Sequence, residues 1–188
     1  MPRAGLSTAD VVAAGAQLAD DIGFANLAMA PLAERLGVRT PSLYKHIDSL
    51  ADLQHAVATL AMRELAEALR DAMQGRAGRD ALAAFAATFR AYVIAHPGRY
   101  TASVGAEFTG TDDPLYLASA KVLESMAAVL RGYDIPEPQM DHALRTLRCV
   151  FHGFATIQAA NGFQWTGDPE TSFDWMIDFL DRGLSSPR

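Results

Sequence analysis

Three observations predict an all-α fold for this 188-residue chain. Half of its residues are hydrophobic, alanine is abundant, and no β-branched run alternates strictly with polar residues. Apolar residues recur instead at three- and four-residue spacing, between short breaks rich in glycine and proline. One stretch, Leu32-Ala33-Glu34-Arg35-Leu36-Gly37-Val38-Arg39-Thr40-Pro41-Ser42-Leu43-Tyr44-Lys45-His46-Ile47, reads as helix, glycine turn, helix. The expected architecture is an N-terminal three-helix helix-turn-helix domain over residues 1–48 and a C-terminal helical bundle over 49–188. Residues 49–73 would form a connecting helix.

The first helix is expected over residues 8–22. Thr8 would cap it, and Val11, Val12, Ala14, Leu18 and Ile22 would supply its apolar stripe. Gly23 ends it, and Phe24 and Leu27 anchor the connection. A second helix follows over about 30–36, closed by the left-handed freedom of Gly37. A third is expected over about 41–46, with Thr40 as cap and Pro41 at the first helical position, where a missing N–H costs nothing. Leu32, Leu36, Leu43 and Ile47 then face inward. Asp48 or Ser49 caps the connecting helix, and Gly75-Arg76-Ala77-Gly78 is a linker. Further helices are expected over about 80–95, 114–131, 139–160 and 170–183, separated by proline- and glycine-bearing breaks.

Composition excludes several classes. No apolar run approaches the roughly 18 residues of a membrane span, Asp10 interrupts the apolar stretch behind Arg3, and no leader or membrane partner is expected. One cysteine, Cys149, fits a reducing, cytoplasmic setting. The net charge of −6 argues against a general nucleic-acid coat protein. In the first 50 residues Arg3, Arg35, Arg39 and Lys45 face five carboxylates, so DNA binding depends on where the cations sit. Enzyme readings lack support. The five histidines show no metal-ligand spacing, no phosphate-cradling glycine loop follows a strand, and no cofactor is expected. Cys149 and His152 share a helix face as a thiol–imidazole pair without a third group, and a buried structural role is expected for Cys149.

Taken together, the helix ending in Gly23-Phe24, the Leu32–Val38 segment, Leu43-Tyr44-Lys45-His46-Ile47 and the capped helix containing Leu53 resemble the tetracycline-repressor (TetR) family of bacterial transcription regulators over about residues 8–65. Phe151-His152-Gly153-Phe154 with Asn161-Gly162-Phe163 looks like that family's subset with a Trp-His-Gly-like signature, with Phe in place of Trp. The resemblance implies a ligand-responsive repressor that binds a near-palindromic, double-stranded DNA operator as a homodimer and is released when a small apolar or amphipathic effector tilts the fourth helix. The alternative is a helical small-molecule-binding or adaptor protein without DNA binding. Family members often carry a Lys early in the fourth helix, whereas Ser49-Leu50-Ala51-Asp52 stands here.

Three sets of residues are singled out. Arg39, Thr40, Pro41, Ser42, Tyr44, Lys45 and His46 are the candidates for DNA contact. Arg39 suits a guanine edge, Thr40 and Pro41 suit a thymine methyl, and Tyr44 suits a phosphate. Phe85, Phe89, Tyr92, Phe108, Met126, Phe151, His152, Phe154 and Trp165 are the candidates for an effector pocket. Packing in an ordinary core is the competing reading for each of them. The last two helices are apolar on two sides, which asks for burial on two sides. Leu147, Val150, Trp175 and Phe179 are therefore the candidates for a dimer interface. The resemblance implies that this interface is a four-helix contact.

Overall fold

A computed structural model describes residues 6–186. Among the described residues there are nine α-helices and no strand: α1 (Thr8–Ile22), α2 (Met29–Leu36), α3 (Thr40–Leu43), α4 (Leu50–Ala72), α5 (Gly78–Ala95), α6 (Pro97–Ser103), α7 (Pro114–Leu130), α8 (Glu137–Ala159) and α9 (Pro169–Ser185). Short 3₁₀ turns at Phe24–Asn26 and Arg131–Tyr133 follow α1 and α7. No described helix is long and apolar enough to cross a membrane.

Helix boundaries follow side-chain caps. Ser7, rather than Thr8, caps α1. Its hydroxyl accepts the Asp10 N–H at 3.2 Å while its own N–H donates to Asp10 Oδ2 at 2.9 Å. This reciprocal box satisfies two backbone donors at once, whereas Thr8 offers only a hydroxyl already inside the helix. Ser49 caps α4 through Asp52 N–H at 3.1 Å. Asp113 caps α7 by accepting Leu115 N–H at 2.7 Å, and Asp168 caps α9 by accepting from Glu170 and Thr171.

The chain packs as two compact units, and the line between them does not run at residue 48. The unit carrying α1–α3 extends to Glu64 and also takes up His96–Ala118. Helix α6 is the reason, and the sequence reading left it as an irregular segment. It lies on α1 so closely that a Cβ on Gly98 would sit 1.8 Å from the Ala19 carbonyl oxygen. Beside that contact, the Arg99 N–H and Nε donate to the Asp20 carboxylate, each at 2.8 Å, and the same guanidinium reaches Glu64 on α4 at 3.0 Å. Val11, Ala16, Leu32, Leu43, Leu53 and Val57 form this unit's core. Asp113, buried, also accepts from Thr109 N–H and lies 2.9 Å from His55 Nε2 on α4.

The second unit holds Leu65–Ala95 and the chain from Ser119 onward. Its centre is α5 packed on α8 and α9. Phe85, Leu82, Leu65, Leu69, Leu130 and Leu147 are fully buried there. Along its edge Arg79 Nη2 donates to Asp178 at 2.5 Å and Tyr133 Oη to Asp181 at 2.8 Å. Burial, and then the bond to the Asp181 carboxylate, raise the Tyr133 phenol far above its ordinary range.

Candidate nucleic-acid interface

The turn between α2 and α3 is made by backbone alone. Gly37 adopts φ 66° and ψ 30°, a left-handed conformation that costs glycine nothing. Its N–H donates to Glu34 O and the Val38 N–H donates to Ala33 O, both at 3.0 Å. These are the paired bonds of a Schellman closure, which satisfy the last carbonyls of α2 and turn the chain sharply.

Helix α3 is a single turn, shorter than the expected 41–46. Arg39, not Thr40, occupies the cap position, with extended backbone (φ −83°, ψ 143°) and no side-chain bond to the helix. Thr40 is the first helical residue and Pro41 the second. Proline is tolerated there for the reason it is tolerated one residue earlier, since the first four N–H groups of a helix have no partner within it. Tyr44–His46 form a turn instead of continuing the helix. The Leu43 carbonyl accepts both His46 N–H at 2.8 Å and Ile47 N–H at 3.1 Å. The Thr8 hydroxyl donates to His46 O at 3.3 Å and ties this turn to α1.

Burial sorts the segment. Leu43 and Ile47 are in the core, so the expected inward pair is observed; Leu36 is only partly covered. Arg39, Pro41 and Lys45 are exposed, Tyr44 is 51 % exposed, and Thr40, Ser42 and His46 are half-exposed. The seven candidate contact residues thus form one continuous accessible stretch anchored by two buried side chains. Charge is disposed in the same sense. Arg35 is ion-paired with Asp21, whereas Arg39 and Lys45 carry no ion pair among the described residues. Asp10 is held below the usual carboxylate range, chiefly by the Ser7 hydroxyl and N–H, with a smaller contribution from His46.

The candidate pocket residues separate into groups. Phe85, Phe89 and Phe151 form one packed aromatic cluster, with ring centroids 5.6–6.5 Å apart. Tyr92 and Met126 are also buried in the second unit. Phe154 belongs to a different row of rings, 4.9 Å from Phe163 and 5.2 Å from Phe173. Trp165 ends that row, 5.2 Å from Phe163 and 69 % exposed. Phe108 joins neither group. It lies in the first unit, half-exposed, edge-on to Tyr116 at 5.5 Å. His152 is half-buried, and burial, followed by the charge of Arg148, lowers its pKa.

On α9, Phe173, Ile177 and Leu180 are buried, while Trp175 (63 % exposed) and Phe179 (56 % exposed) stack on the opposite side with centroids 5.3 Å apart. The predicted two-sided pattern is present. Val150 is half-exposed on α8. Leu147 is a correction, because it is fully buried by its own protomer and supports the exposed face from beneath. Phe179 and Leu147 also line a 420 Å³ groove with Gln139, His142 and Thr146. Cys149 is a second correction, since it is exposed rather than a buried structural thiol.

Against this geometry, residues 82–180 match the family model described as the tetracyclin repressor-like C-terminal domain. A Mycobacterium tuberculosis helix-turn-helix-type transcriptional regulator, itself uncharacterised, is 34 % identical over 180 residues, covering 95 % of this chain and 82 % of that protein. The chain belongs to the TetR family. It is a DNA-binding transcriptional regulator of helix-turn-helix type, in a family of regulators and not of enzymes. Two solved TetR-like structures share the fold. One is BioQ with its double-stranded DNA operator, at TM-score 0.72 and 23 % identity, covering 97 % of this chain and all of that one. The other is a TetR variant from Acinetobacter baumannii with minocycline, at TM-score 0.71 and 24 % identity, with the same coverage. The TetR-family assignment agrees with the all-helical fold expected from the sequence.

Proposed function

We propose that this TetR-family chain is a repressor that binds a near-palindromic operator as a homodimer and leaves it when a small apolar or amphipathic effector enters the second unit. The observation that carries the reading is the accessible run from Arg39 to His46, whose two cations, Arg39 and Lys45, are not neutralised by a neighbouring carboxylate. An exposed guanidinium and ammonium on a helix-turn-helix suit phosphates and base edges of a major groove. A DNA operator in the BioQ structure and minocycline in the Acinetobacter one support the two binding roles by analogy of fold.

Dimerisation rests on the stacked Trp175–Phe179 pair, an apolar surface that a second copy would cover. Two copies would set their turns about one helical repeat apart on DNA. Coupling requires only that the effector favour one conformer, typically by about 1–3 kcal/mol. Helix α4, unbroken from residue 50 to 72, is the candidate element for carrying that preference.

The test is a mobility shift with purified protein, DNA flanking its own gene and a random duplex pool, at two salt concentrations with competitor. A specific complex of two protomers per site, weakening as salt rises, is expected. Absence of any selected sequence from the random pool would overturn the reading.

A further inference from the structure

Arg90 interrupts the otherwise apolar inner face of α5 and is nearly enclosed, its side chain 11 % exposed. Its Nε donates to Gln158 Oε1 on α8 at 2.7 Å, and its Nη1 to Glu170 Oε2 on α9 at 2.7 Å. Nη2 completes a fork on the other Glu170 oxygen. The guanidinium carbon lies 4.5 Å from the Phe173 ring centre and 5.6 Å from that of Phe154. An enclosed arginine between aromatic faces needs an anion, because leaving such a charge unpaired is strongly unfavourable.

The anion it holds is the unusual part. Glu170 is 67 % exposed and stands in the first turn of α9. Its carboxylate can return to water at small cost, while Arg90 cannot. Pro169 and Ser172, on either side of Glu170 in that turn, line a small hollow of 30 Å³ with Phe163, Trp165 and Gly167. The ring row Phe173, Phe154, Phe163, Trp165 runs from the guanidinium to this exposed tryptophan.

We propose that Arg90 anchors a binding site for small carboxylates with an apolar or aromatic body, and that Glu170 is the protein's own occupant of that site. A ligand carboxylate takes the bidentate fork, Gln158 keeps the guanidinium oriented, and the ligand body lies along Phe154, Phe163 and Trp165. Displaced Glu170 moves into solvent. The proposal narrows the effector class and rests on the effector reading only for its consequence at the operator.

The probes are 3-phenylpropionate and its neutral amide, titrated calorimetrically into the full chain. In the unaltered protein the acid should bind more tightly than the amide. In Glu170→Gln, which frees the fork of its internal competitor, affinity for the acid should rise about tenfold while the amide is unaffected. Arg90→Met should abolish the preference for the acid. Equal binding of acid and amide to the unaltered chain, no detectable binding of the acid, or no gain in a folded Glu170→Gln would each overturn the site and reduce the pair to a clamp between helices. The comparison of acid and amide in the unaltered protein decides the matter even where a variant fails to fold. Operator binding without ligand, measured on the same preparations, separates this failure from failure of the regulator reading.

Discussion

Replacing Gly98 by alanine sets two physical effects against each other. Helix propensity alone favours alanine, by about 0.8–1 kcal/mol in a helix interior. Packing opposes it. The new Cβ would lie 1.8 Å from Ala19 O, 2.1 Å from Ala19 C and 2.5 Å from Asp20 N, all of them backbone atoms that cannot rotate away. Ordinary contact requires α6 to retreat from α1 by roughly 1.5 Å. A retreat of that size breaks the two 2.8 Å bonds from Arg99 to Asp20. Hydrogen bonds to charged groups contribute about 1.5–3 kcal/mol each, so packing outweighs propensity, and a net destabilisation of about 3 kcal/mol is expected. At about 2–4 °C per kcal/mol for a chain of this size, the thermal midpoint should fall by about 6–12 °C. Circular dichroism melts at fixed protein concentration measure it. Gly15→Ala is the comparison, because its Cβ would meet only the flexible end of Leu53, at 3.0 Å. It should cost much less. A Gly98→Ala midpoint equal to or above that of the unaltered chain would refute the reasoning, as would a Gly15→Ala loss of the same size.

Arg39→Ala and Lys45→Ala should each weaken operator binding and lower the slope of log affinity against log salt by about 1.8 per dimer, since each change removes two phosphate contacts at roughly 0.9 apiece; titrations at four salt concentrations measure it. Trp175→Glu should give monomers by light scattering, because a charge would be left in a desolvated contact. Asp113→Asn tests the cap of α7. The Thr109 N–H first, then the Leu115 N–H and His55, hold the Asp113 carboxyl well below the usual range. A depressed carboxyl contributes stability that is present above its unfolded pKa near 3.9 and is lost as pH falls below that value. Asp113→Asn should therefore lower the melting point at neutral pH and flatten its decline below about pH 4. Some slope should remain, because Asp10, Asp168 and Glu170 are shifted in the same direction.

Helix number and most boundaries were legible because glycine, proline and cap residues act locally. Gly37 and Asp168 announce their roles from one turn of sequence. The inward and outward sides of α9 were legible for the same reason, since 3.6-residue periodicity needs no knowledge of neighbours. What escaped depends on contacts distant in the chain. Helix α6 is short and begins behind His96-Pro97-Gly98, a string that reads as a break. Its helicity is held by α1, nearly 80 residues away, through Gly98 and Arg99. Phe85 and Phe108 look alike in sequence, yet one is fully buried in the second unit and the other half-exposed in the first. Arg90 was passed over because attention went to the rings around it. A lone arginine within Phe85–Ile94 was the available signal.

The Gly98–Ala19 contact also governs how this protein can be recombined. A chimera that grafts a foreign C-terminal half after residue 48, or after the connecting helix, would separate α1 from the α6 it evolved with. The incoming helix would need a glycine at the crossing and a cation opposite Asp20. Without them the transplanted reading head would lose part of its own support, however well its turn were preserved. Exchange of DNA specificity is better made by replacing Arg39–His46 in place, where only Leu43 and Ile47 are built into the interior.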